Sequence, residues 1–197
     1  MEPVTLTTDR LILRPLTDAD AEAVHAACQD PEISRWSSVP SPYTSEDAEN
    51  YVGRTVPTGW QDDSLYTFGT FAAGDGALVG VVCLVRLAQL AAPEHQAEIG
   101  YWTAKEQRGR GYTVEAVREV VRWAFADLGV ERLEWHAEAG NEGSRAVALK
   151  AGFQMEGTMR SKSVYAGTRR DEWVASLLPS DLGRPTETPY LPYPDRG

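Results

Sequence analysis

The stretch Glu98-Ile99-Gly100-Tyr101-Trp102-Thr103-Ala104-Lys105-Glu106-Gln107-Arg108-Gly109-Arg110-Gly111-Tyr112-Thr113 decides how this chain is read. Its first half has a strand's composition, interrupted by Gly100, and a lone glycine in a strand signals a bulge or a close backbone approach. Its second half is a loop of two glycines and two arginines that runs straight into a helix. The helix is legible from Val114, Val117, Val121, Ala124, Phe125 and Leu128, which fall at helical spacing between 112 and 128. A helix start presents unpaired N–H groups and positive partial charge. Glycines there let the backbone approach a ligand, and Arg108 and Arg110 add full charges. Together they describe an anion cradle suited to a pyrophosphate. Hydrogen bonds to a charged group contribute about 1.5–3 kcal/mol each, so three or four hold a nucleotide-type ligand. The loop is not GxxxxGK[ST], and only Gly109-x-Gly111 of a GxGxxG pattern is present, so the two familiar nucleotide loops are excluded.

Outward from this segment the chain alternates strands and helices. A strand is expected over 5–13, ended by Pro15, then a helix over 20–29 capped by Thr17 or Asp18 and closed by Asp30-Pro31. Residues 33–43 read as loop, and a second helix over 44–55 is closed by Pro57 and Gly59. Strands over 64–73 and 77–87 flank the hairpin turn Gly74-Asp75-Gly76, and another covers 94–103. After the long helix, residues 132–139 alternate apolar and polar as a half-buried strand. Asn141 caps a short helix over 142–150, and strands over 153–160 and 170–178 are joined by a turn at Ala166-Gly167. The expected fold is therefore α/β (α+β) in one domain over 1–180. Its core is a mixed, mostly antiparallel sheet of about seven strands flanked by about four helices. Residues 181–197 form a proline-rich tail.

The 197 residues are 42% hydrophobic and 24% charged, the composition of a folded globular protein. The formal net charge of −10 argues against a nucleic-acid partner. No apolar run is long enough for a membrane span and no secretory signal precedes the first strand, so a cytoplasmic location is expected. Cys28 and Cys83 lack CxxC spacing and a histidine cluster, and read as buried thiols with no metal site. Charge is unevenly spread. Residues 41–64 carry Glu46, Asp47, Glu49, Asp62 and Asp63 against Arg54. Residues 104–122 carry Lys105, Arg108, Arg110, Arg118 and Arg122 against Glu106, Glu115 and Glu119. That pattern suits an anionic ligand in one place and a cationic one in another.

Arg108-Gly109-Arg110-Gly111-Tyr112-Thr113 resembles the Arg-x-x-Gly-x-Gly/Ala signature of the GNAT acyltransferases, with Thr113 where glycine or alanine is usual. Further stretches resemble the RimJ/RimL-like branch of that superfamily. These are Arg10-Leu11-Ile12-Leu13-Arg14-Pro15, Glu98-Ile99-Gly100-Tyr101-Trp102, Asn141-x-x-Ser144-Arg145, Lys150-Ala151-Gly152-Phe153 and Arg169-Arg170-Asp171-Glu172-Trp173. The resemblance implies an N-acyltransferase that moves a short acyl group, usually acetyl, from acyl-CoA to a primary amine by direct attack. It implies that the loop through Tyr112 and Thr113 holds the CoA pyrophosphate. A sheet splayed at Gly100 then leaves the backbone of Ile99, Gly100 and Tyr101 to pair with the pantetheine arm. A homodimer is expected on the same ground.

Amine acylation needs a neutral amine, a positioned thioester, a stabilised oxyanion and a proton for the leaving thiolate. Neutralising a lysine amine of pKa ~10.4 at pH 7 costs about 4–5 kcal/mol, against about 1 for an α-amine of ~7.8. Glu98 is the leading base by resemblance, and His136, on the next strand and titrating near neutrality, is the alternative. The family tyrosine that protonates the thiolate is absent, because its position is Ala148. Ser144 resembles the branch's serine near the sulfur and is the candidate donor, with Asn141 beside the pantetheine arm. The acidic segment maps to the acceptor side in this superfamily, so Trp36, Tyr43 and Glu46 are candidate acceptor-binding residues. A protein N-terminal amine, a small amine such as an amino acid, polyamine or aminoglycoside, a succinyl-CoA-using relative, and a non-catalytic acyl-CoA-binding module all remain open.

Overall fold

The strands are β1 Leu6–Thr7, β2 Leu11–Arg14, β3 Tyr66–Ala72, β4 Leu78–Val85, β5 Gln96–Thr103, β6 Arg132–Glu138, β7 Gln154–Tyr165 and β8 Thr168–Leu177. The α-helices are α1 Ala21–Ala27, α2 Pro31–Trp36, α3 Ser45–Asn50, α4 Val56–Gln61, α5 Tyr112–Asp127 and α6 Glu142–Ala151. This computed structural model describes residues 1–91, 93–165 and 167–192. The strands form one sheet in the order β1-β2-β3-β4-β5-β6-β8-β7. Every neighbouring pair is antiparallel except β5 and β6.

The class is the expected one, while the counts differ for local reasons. There are eight strands rather than about seven because Thr8 turns the chain inside the expected first strand. Its Oγ1 accepts from the backbone N–H of Leu11 at 3.0 Å and of Arg10 at 3.3 Å, which folds β1 back on β2. Asp30-Pro31 ends α1 as expected but also starts α2. Asp30 accepts from the N–H of Glu32, and Pro31 occupies the first turn, where its missing N–H removes nothing. Pro57 does not close the second helix. A π-helical turn over Tyr51–Thr55 carries α3 into α4, and the wider turn accommodates the proline in α4's first turn.

Side-chain alternation assigns two faces to the central strands. Phe68, Val82, Ile99, Leu133 and Trp135 share the face covered by α5 and α6, and all are buried. There Trp60, Tyr66, Phe68 and Trp123 make one aromatic cluster, with Phe68 edge-on to Trp123 at 5.3 Å between centroids. It fastens the second half of α5 to β3 and so aims the start of α5 along β5. On the other face, α1 lies against β4, and Tyr51 meets Thr67 and Cys83. The helices stop there, leaving the same face of β5, β6 and β8 uncovered. Cys28 is buried, and burial pushes the Cys83 thiol up to about 11, so it stays protonated at neutral pH.

The segment after β8 makes one 3-10 turn, Pro179–Leu182. It then returns along the molecule, where the Glu131 carboxylate accepts from the backbone N–H of Glu187 and of Thr188. Residues 193–197 of the expected tail, and Ala166 of the expected hairpin turn, lie outside the described residues.

Gly80 permits the closest approach of β4 to β5. A Cβ there would stand 2.2 Å from the carbonyl oxygen of Trp102. Gly80→Ala is expected to destabilise the fold by about 1–3 kcal/mol, as overpacking against backbone does. Urea unfolding at constant m-value measures it, and an unchanged midpoint would refute the close approach.

Candidate active site

The site is built where two strands part. β5 and β6 pair in parallel from Gln96↔Arg132 to Ile99↔Trp135 and no further. β5 keeps its antiparallel register with β4 through Gly100 to Gly80↔Thr103, so the break is a splay toward β6 and not a register shift against β4. β6 stays with β8 to Glu138↔Glu172. Ile99 is the last paired residue, while Gly100, Tyr101 and Trp102 border a slot that joins the two faces of the sheet.

At the slot's outer end stands the start of α5. Gly109 and Gly111 have φ of +77° and +78°, a conformation strained for any side chain. A Cβ on Gly109 would meet nothing within 4 Å. No side chain caps α5, so the N–H groups of Tyr112, Thr113 and Val114 have neither an intrahelical nor a side-chain acceptor. This is the geometry a diphosphate requires, and the residues present fit it. The two arginines differ. Arg108 is anchored, donating to the carbonyl of Thr103 at 3.1 Å and pairing with Asp30 at 2.6 Å. The Arg110 side chain has no partner among the described residues. Arg10, noted in the sequence only as part of a strand motif, reaches the loop as well. It donates to the carbonyl of Arg110 at 3.2 Å, lies over the Tyr112 ring at 4.7 Å and pairs with Glu115. Thr113, the departure from the signature, bonds Thr103 hydroxyl to hydroxyl at 2.6 Å and ties the helix to the end of β5.

On the α5/α6 side of the slot, three elements converge on Ser144. Asn141 caps α6 by accepting from the N–H of Ser144 at 3.1 Å. Trp135 Nε1 donates to Ser144 Oγ at 3.1 Å. The Tyr101 phenol donates to the carbonyl of Ser144 at 2.8 Å. Because the Ser144 oxygen already accepts from the indole, its own O–H is left to point elsewhere. Ala148 is fully buried, and the Tyr101 phenol reaches that turn of α6 from the strand. Burial drives the phenol's pKa well up, so it acts as a neutral donor.

On the uncovered face the side chains are acidic. Glu98, Glu134, His136, Glu138 and Glu172 lie on β5, β6 and β8. His136 Nε2 is 3.1 Å from Glu134, and Nδ1 is 3.8 Å from Glu172 and lacks a hydrogen bond. Glu98 Oε2 is likewise buried without one, although Arg86 Nε approaches it to 2.8 Å as an ion pair. Burial raises the Glu98 carboxyl above its ordinary range. His136 and Arg86 oppose that rise, while Glu134 and Glu172 add to it. Burial acts the same way on Glu134, but the bonds from His136 and Arg132 outweigh it and hold this carboxyl low. Arg86 is held at φ +58°, unusual for a side chain of its size. At the rim, Arg35 clasps Glu138 with both terminal nitrogens, at 3.1 and 2.6 Å, and stacks on Trp36 at 4.0 Å.

Of the expected acceptor residues, Trp36 stands at this rim, 3.9 Å from a Cβ placed on Gly140. Tyr43 is half-buried beside His25 on α1, and Glu46 is exposed in the first turn of α3. Among the described residues, neither side chain hydrogen-bonds or ion-pairs with the Glu98–His136 group. Asp47, Asp62 and Asp63 of the same acidic segment serve as caps and turn partners. Clefts of about 450 and 380 Å3 flank the Arg10–Tyr112 contact outside the slot. Sequence reasoning missed Glu134, Glu172, Arg86 and the Tyr101 phenol, since each matters through strand register.

A slot between parted strands, with an anion cradle at one end and titratable groups on both faces, defines an acyl-CoA-dependent N-acyltransferase. Residues 10–154 match the profile of the acetyltransferase (GNAT) domain, and the chain belongs to that family. It is 33% identical over 173 residues to the uncharacterized N-acetyltransferase YoaA of Bacillus subtilis, covering 88% of this chain and 96% of that one. It is 24% identical over 191 residues to the [ribosomal protein uS5]-alanine N-acetyltransferase of Escherichia coli, covering 90% and 92%. Mycobacterium smegmatis RimJ, solved in complex with CoA-disulfide, shares the fold with a TM-score of 0.79 at 20% identity, covering 93% of each chain. The enzyme is a GNAT N-acetyltransferase, a family whose members use acetyl-CoA, and its co-substrate is an acyl-CoA. Among the described residues no helix is long and apolar enough to cross a membrane.

A raised carboxyl means that ionised Glu98 is less stable in the folded chain than in the unfolded one. The penalty sets in as pH rises through the unfolded carboxyl's range and is complete above the folded value. Glu98→Gln is therefore expected to melt higher than the parent at about pH 8 and to lose that advantage near pH 4. A lower melting temperature at the higher pH would show that the pairing with Arg86 outweighs burial.

Proposed function

We propose that this enzyme acetylates the N-terminal α-amine of a polypeptide. The observation that carries this reading is a pair of buried polar atoms without a hydrogen bond, Glu98 Oε2, which Arg86 approaches as an ion pair, and His136 Nδ1, on one face of adjacent strands beside the slot. The acceptor's ammonium is drawn to the carboxylates of that face and gives its proton to Glu98, directly or through water, beside His136. A carboxyl raised toward the working pH is a stronger base than an ordinary one. An α-amine costs only about 1 kcal/mol to neutralise at pH 7, against about 4–5 for a lysine, so it asks less of the base.

Acetyl-CoA enters from the α5/α6 side. Its diphosphate rests on the N–H groups of Tyr112 and Thr113 and beside Arg110, and its pantetheine amides follow Gly100 and Tyr101, with Asn141 across the slot. The neutral amine attacks the thioester carbonyl from the acidic face. A C–N bond forms and the C–S bond breaks. The thiolate leaves toward Ser144, whose hydroxyl passes it a proton and is reprotonated by the proton that the attacking nitrogen sheds as the amide forms, while Trp135 and Tyr101 keep Ser144 in place. The uS5-alanine acetyltransferase relative supports a protein terminus as acceptor.

With acetyl-CoA and peptides beginning in Ser or Ala, free thiol should be released in step with peptide acetylation. Ser144→Ala is expected to lower kcat by about 10²-fold, and Glu98→Gln by about 10²–10³-fold with loss of the acid limb of the kcat/KM profile. Thermal stabilisation by CoA without turnover of any amine would instead identify a binding module.

A further inference from the structure

β7 and β8 run on past the sheet as a hairpin arm. Between Arg160 and Arg170 this arm carries Arg160, Lys162, Arg169 and Arg170 and no acidic residue, in a chain of net charge −10. All four cations are exposed. Among the described residues, the side chains of Arg160 and Lys162 have no hydrogen-bond or ion-pair partner. Arg169 donates to the carbonyl of Ser161 at 2.9 Å. Arg170 comes only within 3.8 Å of Glu138, which Arg35 already holds. Four like charges on a thin hairpin repel one another, and an incoming counter-charge relieves that repulsion.

The arm is rooted at the mouth of the site. Asp171 accepts from the N–H of Ala139 through its carbonyl and from the N–H of Ser161 through its carboxylate, both at 2.8 Å. Glu172, one residue closer to the sheet, faces His136. The Tyr165 ring lies 4.8 Å from the Arg35 guanidinium at the rim. A chain whose first residue reaches Glu98 and His136 therefore leaves the site beside the arm.

We infer that the arm selects acceptor polypeptides whose N-terminus is followed by acidic residues. The inference rests on the α-amine reading above. At about 3.3 Å per extended residue, the stretch from Arg160 to Val164, which pairs with Arg169, spans roughly 13 Å or about four acceptor residues, so the cations meet the acceptor within roughly its first eight residues. Such a chain matches both signs, its ammonium on the carboxylates and its acidic segment on the arm. A nucleic acid matches the arm alone and is repelled by Glu98, Glu134, Glu138 and Glu172.

The test uses the full chain, acetyl-CoA and three Ser-initiated peptides that differ only at positions 3–8, rich in Glu, Gln or Lys. The Glu peptide should exceed the Gln peptide in kcat/KM by about tenfold at low ionic strength, with the Lys peptide lowest. The ratio should fall toward one at about 0.5 M salt. In R160E/K162E, where the arm's net charge falls from +4 to zero, the Glu-to-Gln ratio should fall to near one. The milder R160Q/K162Q, checked for folding by CoA-induced thermal stabilisation, should bring the ratio to an intermediate value of about threefold. Equal rates for the three peptides, or a preference unchanged in both variants, would overturn the inference and leave the α-amine reading standing. Equal suppression of the Glu and Gln peptides by polyuridylate, relieved in R160E/K162E, would overturn it in favour of a nucleic-acid arm. Acetylation of small amines with none of the peptides would overturn the α-amine reading and the inference together.

Discussion

The separation of β5 from β6 after Ile99↔Trp135 is the constraint on which the rest depends. Each strand keeps its outer partner, β4 on one side and β8 on the other, so the sheet stays continuous at its base and open at its tip. An opened sheet exposes strand edges, and backbone N–H and C=O groups there require partners. A ligand with its own amides laid along Gly100 and Tyr101 supplies them as an added strand would. The aromatic cluster under α5, the hydroxyl bond between Thr103 and Thr113 and the close approach at Gly80 all bear on this opening. They fix the start of α5 and the end of β5 relative to each other.

The opening also separates two electrostatic demands that conflict in one pocket. The donor brings phosphates and the acceptor brings an ammonium, in a chain with a large negative excess. The positive elements, Arg10, Arg110 and the uncapped helix start, gather at the outer end of the slot. The carboxylates gather on the face that no helix covers. Arg132 and His136 divide the carboxylates further. Glu134 is bonded by both and held ionised, whereas Glu98, with less help, is raised by burial. Two glutamates at paired positions of adjacent strands thus acquire different proton affinities from their neighbours alone.

Much of this was legible in the sequence because it is local. The Gly-Arg loop before an amphipathic helix, the alternation in β6, the caps Thr17 and Asn141 and the hairpin signals each lie within a few residues. What escaped depends on context or register. Pro31 and Pro57 read as terminators, yet one opens a helix and the other follows a π-turn, both positions where a missing N–H is tolerated. Thr8 read as part of a strand, since its turn depends on where its own hydroxyl points. The carboxylates around His136 come from β5, β6 and β8, and only the pairing of those strands makes them neighbours. Arg108 read as a full charge added to the anion cradle, but Asp30, distant in sequence, engages it.

Alanine at position 148 leaves the proton donor of the proposed mechanism to another position on α6. Alanine there leaves room at a position that is itself fully buried, although Leu149 and Lys150 beside it are exposed. The Tyr101 phenol fills that room from the strand side and bonds the carbonyl of Ser144, while Trp135 bonds its hydroxyl oxygen. A phenol whose pKa burial has raised is a poor proton source, but it is a dependable neutral donor and holds α6 to β5. The indole N–H draws electron density from the serine oxygen and so polarises its O–H, the direction in which chains of hydrogen bonds reinforce one another. On the reading proposed above, the donor stands one turn nearer the start of α6, at residue 144 rather than 148. It is now fixed by two strands and a cap, where a long tyrosine side chain would have had to hold its own position.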